Sequence, residues 1–331
     1  MKKFYDLDKS RKKTIFDQVA AREGLPSAAI EKDWWVTLAL KAIFNLEFAQ
    51  HIVFKGGTSL SKGWKLIDRF SEDIDLAIDR RFFNFEGDLS KGQIRKLRNK
   101  SCKFISNDFS VYLKDEISDI GIKDFDLKVR PFVASDTDPV IIELHYKSLT
   151  EPSGYITPNV LVEIGSRALK EPFEQRSIQT MIGQSLPEAG FIDKPMEISL
   201  VLPKRTFLEK AFLLHEEYQR PVEKRKLERK SRHLYDLEKL MDTEHGTDAL
   251  KDHDLYKSIV GHRQVFSKLN KVDYSSHNPN KINFVPSGKT LKLLEDDYKK
   301  MQESMIYGNS LSFPDLIKRL EELQGRFRKT L

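Results

Sequence analysis

Cysteine is almost absent from this chain of 331 residues, in which Cys102 stands alone. A single cysteine excludes an internal disulfide, as is usual for proteins kept in a reducing compartment. No apolar run reaches roughly 18 residues, the length that a membrane-spanning helix needs. The first residues, Met1 to Asp6, contain no apolar signal segment. These absences predict a cytoplasmic protein without a membrane segment.

Two common kinds of catalytic site are also missing from the sequence. The eight histidines show no zinc-type spacing, and no Gly-x-Ser-x-Gly nucleophile motif occurs. Charge, by contrast, is plentiful: 32% of the residues are charged, and the net charge is +6. A basic balance of this kind favours an anionic partner.

The length of the chain favours two domains. Before residue 203, apolar runs such as 140–146 and 160–164 lie between turn residues and predict strands. After it, the apolar pattern is helical over about 204–219, 226–243, 250–269, 288–305 and 312–329. We therefore predict an α/β (α+β) fold. Its predicted parts are a domain of N-terminal helices and a mixed sheet over residues 1–203 and an α-helical domain over residues 204–331.

The most informative feature is a pair of neighbouring motifs, Phe54-Lys55-Gly56-Gly57-Thr58-Ser59-Leu60 and Ser71-Glu72-Asp73-Ile74-Asp75-Leu76. If the second motif is a strand, Asp73 and Asp75 point to the same face. Two carboxylates on one face are tolerated where a cation lies between them, and hard oxygen ligands favour Mg²⁺ or Mn²⁺. A glycine turn that leads into a helix offers backbone N–H groups to a phosphate. Together the motifs predict a phosphate and metal site suited to nucleotidyl transfer.

Four segments resemble motifs of one known family. Lys55–Leu60 and Arg69–Leu76 resemble the signature of the AbiEii/AbiGii (MenT-like) nucleotidyltransferase toxins, which belong to the DNA-polymerase-beta-like nucleotidyltransferase superfamily. Phe207–Ala211 resembles the family's lysine motif, and Ser231–Leu237 resembles its Arg-Asp-x-x-Asp-Leu motif. The chain departs from the family at His233, where the family usually has its first aspartate.

The resemblance implies a polymerase-beta-like domain whose active site is completed by the helical domain. It implies transfer of a nucleoside monophosphate from an NTP to an acceptor hydroxyl, with the 3′ end of tRNA as the acceptor. It also implies a toxin–antitoxin or phage-defence role, with a cognate antitoxin protein as partner. The implied catalytic residues are Asp73, Asp75, Lys210 and Asp236, of which the first two bind the metal. The implied nucleotide-binding residues are Lys55, Gly56, Gly57, Thr58, Ser59 and Arg232.

A third metal-binding carboxylate is expected on a strand beside the Asp-x-Asp strand, as in many polymerase-beta-like enzymes. Glu163, within Leu161-Val162-Glu163-Ile164, is the first choice. Glu143, within Ile141-Ile142-Glu143-Leu144, is the second. The sequence leaves both open.

Two basic segments, 91–103 and 220–232, are either solvated helix faces or contacts for the phosphate backbone of an acceptor RNA. The candidate RNA-binding residues are Arg95, Lys96, Arg98, Lys224, Arg225 and Arg229. Two other functions remain open. One is nucleotidyl transfer to a protein or small-molecule acceptor, and the other is a non-catalytic module that binds nucleotide or RNA.

Overall fold

The computed structural model describes residues 1–151, 156–166, 172–267, 269 and 271–330. The chain divides into two compact units. Unit 1 contains residues 1–64 and 70–201, and unit 2 contains residues 65–69 and 202–331. No helix in the described part of the chain is long and apolar enough to cross a membrane.

Unit 1 is built from a sheet and helices. Its strands are β1 (Ile52–Lys55), β2 (Ile74–Ile78), β3 (Phe125–Val129), β4 (Val140–Tyr146), β5 (Asn159–Gly165), β6 (Phe173–Ile178) and β7 (Met196–Val201). Its helices are α1 (Lys2–Tyr5), α2 (Lys9–Glu23), α3 (Ser27–Asn45), α4 (Gly56–Lys62), α5 (Lys91–Phe104), α6 (Ser110–Asp119) and α7 (Met181–Ser185). Short 3₁₀ helices at Ala49–His51 and Arg80–Phe83 complete the unit, with a π-helical turn at Ile105–Phe109.

Among the described residues, the seven strands form one sheet in the order β3-β4-β5-β2-β1-β7-β6. The pairs β2–β5 and β1–β7 are parallel, and the remaining pairs are antiparallel. The predicted mixed sheet and α/β class are therefore confirmed.

Burial alternates along β4 and β5, as strands with one packed face require. In β4, buried and partly exposed residues alternate over the whole strand. In β2, Ile74 and Leu76 are buried, whereas Asp75 between them is partly exposed. In the middle of the sheet both faces are packed, since Val53, Ala77 and Val201 form a buried cluster on the face that Asp75 shares. That face becomes polar at Lys55, Asp75 and Glu163.

The sequence patterns did not predict β6, β7 or α6. β6 reads Phe-Glu-Gln-Arg-Ser-Ile, and its first five residues are exposed, so this edge strand has no apolar alternation to detect. The π-helical turn carries the helix onward from α5, beyond the basic segment 91–103, into α6.

The helix α3 is buried on nearly every side and nevertheless carries the charged triplet 31–33. The Lys32 ammonium donates to Glu72 at 2.7 Å, directly before the Asp-x-Asp motif. Asp33 accepts from Lys62, at the end of α4, at 2.5 Å. Buried charges of this kind require partners. The triplet therefore ties the glycine turn with α4, and the segment that leads into β2, to one central helix.

Unit 2 is helical. Its helices are α8 (Pro203–Tyr218), α9 (Ser231–Leu240), α10 (Glu244–Lys251), α11 (His253–His262), α12 (Gly288–Ser304) and α13 (Phe313–Thr330), with short helical turns at Val222–Lys224, Arg263–Ser267 and Tyr274–His277. The helix predicted over 250–269 is instead two helices, because Asp252 caps α11 by accepting the Leu255 N–H. Residue 268 of that predicted helix lies outside the described residues.

The segment 65–69 belongs to unit 2 although it lies far from the helices in sequence. Its Asp68 carbonyl accepts from the Tyr307 N–H at 3.0 Å, and the Asp68 N–H donates to the Tyr235 hydroxyl at 3.3 Å. Arg69 forms a β-bridge with Ile306. These contacts fix the stretch of chain that precedes β2 to the helical unit.

Candidate active site

The carboxylates predicted to bind metal lie just before β2 and at its start, where one face of the sheet in unit 1 is partly exposed. Asp75 pairs with Lys55 of β1 on one side and with Glu163 of β5 on the other. Asp73 comes two residues earlier and is partly exposed like Asp75, whereas Ile74 between them is buried. Cross-strand partners share a face, so Asp75, Glu163 and Lys55 point to the same side of the sheet.

Gly56 lies directly against Asp75. It has φ +80°, a region that favours glycine, and a Cβ built on it would lie 2.0 Å from Asp75 Oδ2. No other residue type fits this position without moving the carboxylate. The glycine turn and the Asp-x-Asp strand are therefore in contact, as the paired motifs predict.

The hydroxyl groups after the glycines are used inside the fold. Thr58 Oγ1 donates to Ser71 Oγ at 2.9 Å, and Ser59 Oγ donates to the Gly56 carbonyl at 2.9 Å. Both residues are buried. The Thr58 hydroxyl therefore ties α4 to the segment before β2, whereas the Ser59 hydroxyl closes the first turn of α4.

The strand register separates the two candidates for the third carboxylate. Glu163 lies opposite Asp75 on the neighbouring strand, whereas Glu143 lies one strand further away on β4. Glu143 also accepts from Arg130 Nε at 2.7 Å and contacts His145 Nε2 at 3.0 Å. The Arg130 hydrogen bond, aided by His145, lowers the pKa of Glu143. The geometry favours Glu163 as the partner of the Asp-x-Asp pair.

The donor set consists of carboxylate oxygens, which suit a hard divalent cation. Within the residues that the structure describes, no three or more His, Cys, Asp and Glu side chains form a ready metal-binding group. Mg²⁺ is commonly bound by one or two carboxylates together with water and substrate phosphates, not by an all-protein cage. Asp73 and Asp75, with Gly56 leaving room beside them, fit a cation that arrives with a nucleotide.

Unit 2 contains a buried ionic cluster centred on Asp236 of α9. Arg69 binds it in a bidentate manner, with Nε to Oδ1 at 2.7 Å and Nη2 to Oδ2 at 2.8 Å. Lys210 of α8 binds Oδ2 at 2.7 Å. All three side chains are buried. The two residues predicted from the separate lysine and Asp-Leu motifs are thus direct partners.

The charges of this cluster shift one another's pKa values. Burial alone would raise the pKa of Asp236, but Arg69 and Lys210 outweigh it and lower the pKa to about 2. Burial lowers the pKa of Lys210, Arg69 lowers it further, and Asp236 offsets this only in part. Asp236 is therefore ionised over the physiological range.

His233 lies in the same part of α9 and is buried. Neither of its ring nitrogens has a hydrogen-bond partner among the described residues. Burial, followed by the positive charge of Lys210 and Arg232, lowers the pKa of His233 well below its ordinary value. The imidazole is neutral, so it does not supply the negative charge of the aspartate that the family usually has here.

The candidate RNA-binding residues differ in exposure. On α5, Arg95 and Lys96 are exposed and Arg98 is partly buried. In unit 2, Lys224 is exposed, whereas Arg225 and Arg229 are partly buried. The Arg225 guanidinium donates to the Arg220 and Tyr218 carbonyls and to Thr290. It is therefore engaged within the fold.

The sequence interpretation passed over two residues beside the site. Arg69 begins the motif that contains Asp73 and Asp75, yet its bidentate bond to Asp236 cannot be inferred from spacing. Lys32 could have been found, because a charged triplet inside an otherwise apolar helix indicates buried ion pairs. Both residues act on the segment that leads into β2.

Replacing Asp236 with Asn should destabilise the protein, because Arg69 and Lys210 then lose their shared carboxylate. Breaking a buried ion pair costs about 3–5 kcal/mol in the free energy of unfolding. The folded-state pKa of about 2 lies below the ordinary 3.8. The stability that the ionised Asp236 carboxylate contributes is therefore fully present above pH 3.8. It is lost as the pH falls through the folded-state pKa of about 2. Urea unfolding at several pH values measures it.

Asp242 provides the matched control, because it is exposed and pairs with Arg319 and Arg326. Its replacement with Asn should cost at most about 1 kcal/mol. Equal losses in the two variants would contradict the structural role assigned to Asp236.

Comparison with known proteins identifies the family of the chain. Residues 38–322 match the family model described as nucleotidyl transferase AbiEii toxin of type IV toxin–antitoxin systems. No protein with a curated description matches the chain. The family implies a nucleotide substrate and an antitoxin partner. Because the match covers most of its length, the chain belongs to the AbiEii family of nucleotidyltransferase toxins.

Proposed function

We propose that this protein transfers a nucleoside monophosphate from an NTP to the 3′ end of a tRNA and releases pyrophosphate. The observation that carries the proposal is the register around Asp75. This register places Glu163 opposite Asp75 on the neighbouring strand. Gly56, which has no side chain, leaves room for the Asp75 carboxylate on the same face. Two carboxylates that share one face of a sheet suit a hard divalent cation, which phosphoryl transfer commonly uses.

In this proposal Asp73 and Asp75 hold Mg²⁺ or Mn²⁺, with Glu163 as a further carboxylate. When bound, the metal ion would neutralise charge on the triphosphate and polarise its phosphorus–oxygen bonds. Backbone N–H groups of the turn at 56–59 would orient the phosphates, and Lys55 would add a positive charge beside Asp75. Orientation of the reacting groups supplies a large share of the rate in phosphoryl transfer.

Lys210 is proposed to contact the nucleotide phosphates. A lysine ammonium stabilises the negative charge that builds up on a departing pyrophosphate. Asp236 would orient the ammonium through their contact of 2.7 Å. Arg232, one helical turn before Asp236 on α9, is proposed to contribute a further positive charge.

The acceptor is proposed to be RNA because exposed basic residues are available in both units. Arg95, Lys96 and Lys224 are exposed and are proposed to contact the phosphate backbone. Arg225 is left out of this proposal because its guanidinium is already bound within unit 2.

The direct test is to incubate the protein with each labelled NTP, Mg²⁺ and total RNA. We expect label to enter tRNA with the native chain. We expect the rate to fall by at least about a hundredfold in Asp75→Asn, since changes that only disturb a metal ligand's surroundings cost roughly 10- to 100-fold. Label confined to protein, or equal labelling by the variant, would overturn the proposal.

The third carboxylate can be tested by a matched pair of substitutions on one face of the sheet. Glu163→Gln should lower the transfer rate by about tenfold or more, because it removes a carboxylate opposite Asp75. Glu143→Gln should leave the rate nearly unchanged, since Glu143 is held by Arg130. A greater loss in the Glu143 variant would reverse the assignment.

The contact between Gly56 and Asp75 can be tested against a glycine with similar backbone strain. Gly56→Ala should displace the carboxylate and reduce transfer by about a hundredfold, because misplacement by 1 Å can cost that much. Gly87 has φ +61° but nothing within 4 Å of a built Cβ. Gly87→Ala should therefore share only the backbone strain of about 1–2 kcal/mol. Similar transfer rates in both variants would refute the proposed geometry.

A further inference from the structure

Unit 1 contains a cavity of about 150 Å³ that the proposed reaction does not use. Residues of α1, α2 and α3 line it, together with the residues just before β3 and just after β4. None of the carboxylates predicted to bind metal is among its lining residues.

Aromatic rings form the wall of the cavity, among them Tyr5, Trp34 and Trp35. The Trp34 and Trp35 rings meet edge to face at 5.0 Å, and Trp35 stacks on Tyr146 at 4.8 Å. Both tryptophans are more than nine-tenths buried. The wall is therefore a fixed set of flat apolar surfaces, which suits a planar ring.

The carboxylate on the wall is already saturated. Glu31 accepts from Ser148 Oγ at 2.7 Å, the Leu149 N–H at 2.8 Å and both the N–H and the hydroxyl of Thr150. These four donors match the acceptor capacity of a carboxylate. Glu31 therefore has no remaining capacity for a cation in the cavity.

The remaining charge at the cavity is mainly positive. Lys9 and Lys12 lie three residues apart on α2, and Lys147 follows β4. Lys12 Nζ lies 4.9 Å from the centre of the Tyr5 ring. Asp124, the other acid, accepts from the Tyr5 hydroxyl at 2.9 Å. Three ammonium groups beside flat rings favour an aromatic ligand with an anionic group.

We propose that this cavity binds a pyrimidine nucleotide, with the base against Trp34 and Trp35 and the phosphate at the three lysines. A cavity of about 150 Å³ matches one benzene-sized ring, so it fits a pyrimidine better than a purine. The terminal phosphate of a free nucleotide carries nearly two negative charges, whereas a carboxylate carries one. A phosphodiester within a strand also carries one, and its two free oxygens can still accept from more than one ammonium group. The nucleotide is either free or part of an RNA strand.

The test uses the intrinsic fluorescence of the cavity itself. The chain has three tryptophans, so in a Trp64→Phe background only Trp34 and Trp35 report. This protein is titrated with uridine, cytidine and adenosine monophosphates, benzoate and a short uridine-rich RNA. We expect saturable quenching by the pyrimidine nucleotides and affinities for adenosine monophosphate and benzoate that are weaker by about tenfold or more. Tighter binding of the RNA identifies a strand as the source, and tighter binding of the mononucleotide identifies the free ligand.

The substituted lysines are exposed, so we expect the variants to fold like the native chain. Lys9→Met combined with Lys147→Met should weaken binding by about tenfold or more, whereas Lys13→Met, on the same helix but outside the cavity, should not. Asp75→Asn should leave the quenching unchanged, which separates this site from the proposed catalytic one. No saturable quenching by any pyrimidine nucleotide, or equal binding by the double variant, would overturn the proposal.

Discussion

The pairing register of β2 is the constraint on which the candidate site depends. Side chains alternate along a strand, so Asp75 points away from the core around Ile74 and Leu76 only in this register. A shift of one residue would bury the carboxylate and expose the apolar residues. The hydrophobic core thus fixes the position of a polar group, and the same register brings Glu163 beside Asp75.

Buried ion pairs hold the chain that precedes this strand. Lys32 binds Glu72 in unit 1, and Arg69, three residues earlier in sequence, binds Asp236 in unit 2. Paired buried charges contribute little net stability, because desolvation offsets most of their attraction. Their effect is mainly geometric: an ion pair has one favourable arrangement, whereas an apolar contact tolerates several. The segment that leads into β2 is consequently held more narrowly than packing alone would require.

The sequence predicted the local features of the site better than the long-range ones. The glycine turn and the alternation around Asp75 follow from spacing within short segments, whereas the two downstream motifs follow from the resemblance to the family. The choice between Glu163 and Glu143 did not, because it depends on which strand lies beside β2, and sequence order does not reveal that. β6 escaped prediction because its residues are polar and exposed. Arg69 escaped because its partner lies 167 residues away.

The electrostatics around Lys210 bear on how it could serve the proposed reaction. Its lowered pKa means that burial and Arg69 disfavour the charged ammonium more than Asp236 favours it. His233, being neutral, adds no negative charge where the family usually has an aspartate. A phosphate bound at Lys210, as proposed, would supply that charge and raise the pKa of the ammonium. Phosphate binding and protonation of Lys210 would then reinforce each other, so the cluster would be best suited to its ligand in the state in which the lysine is charged.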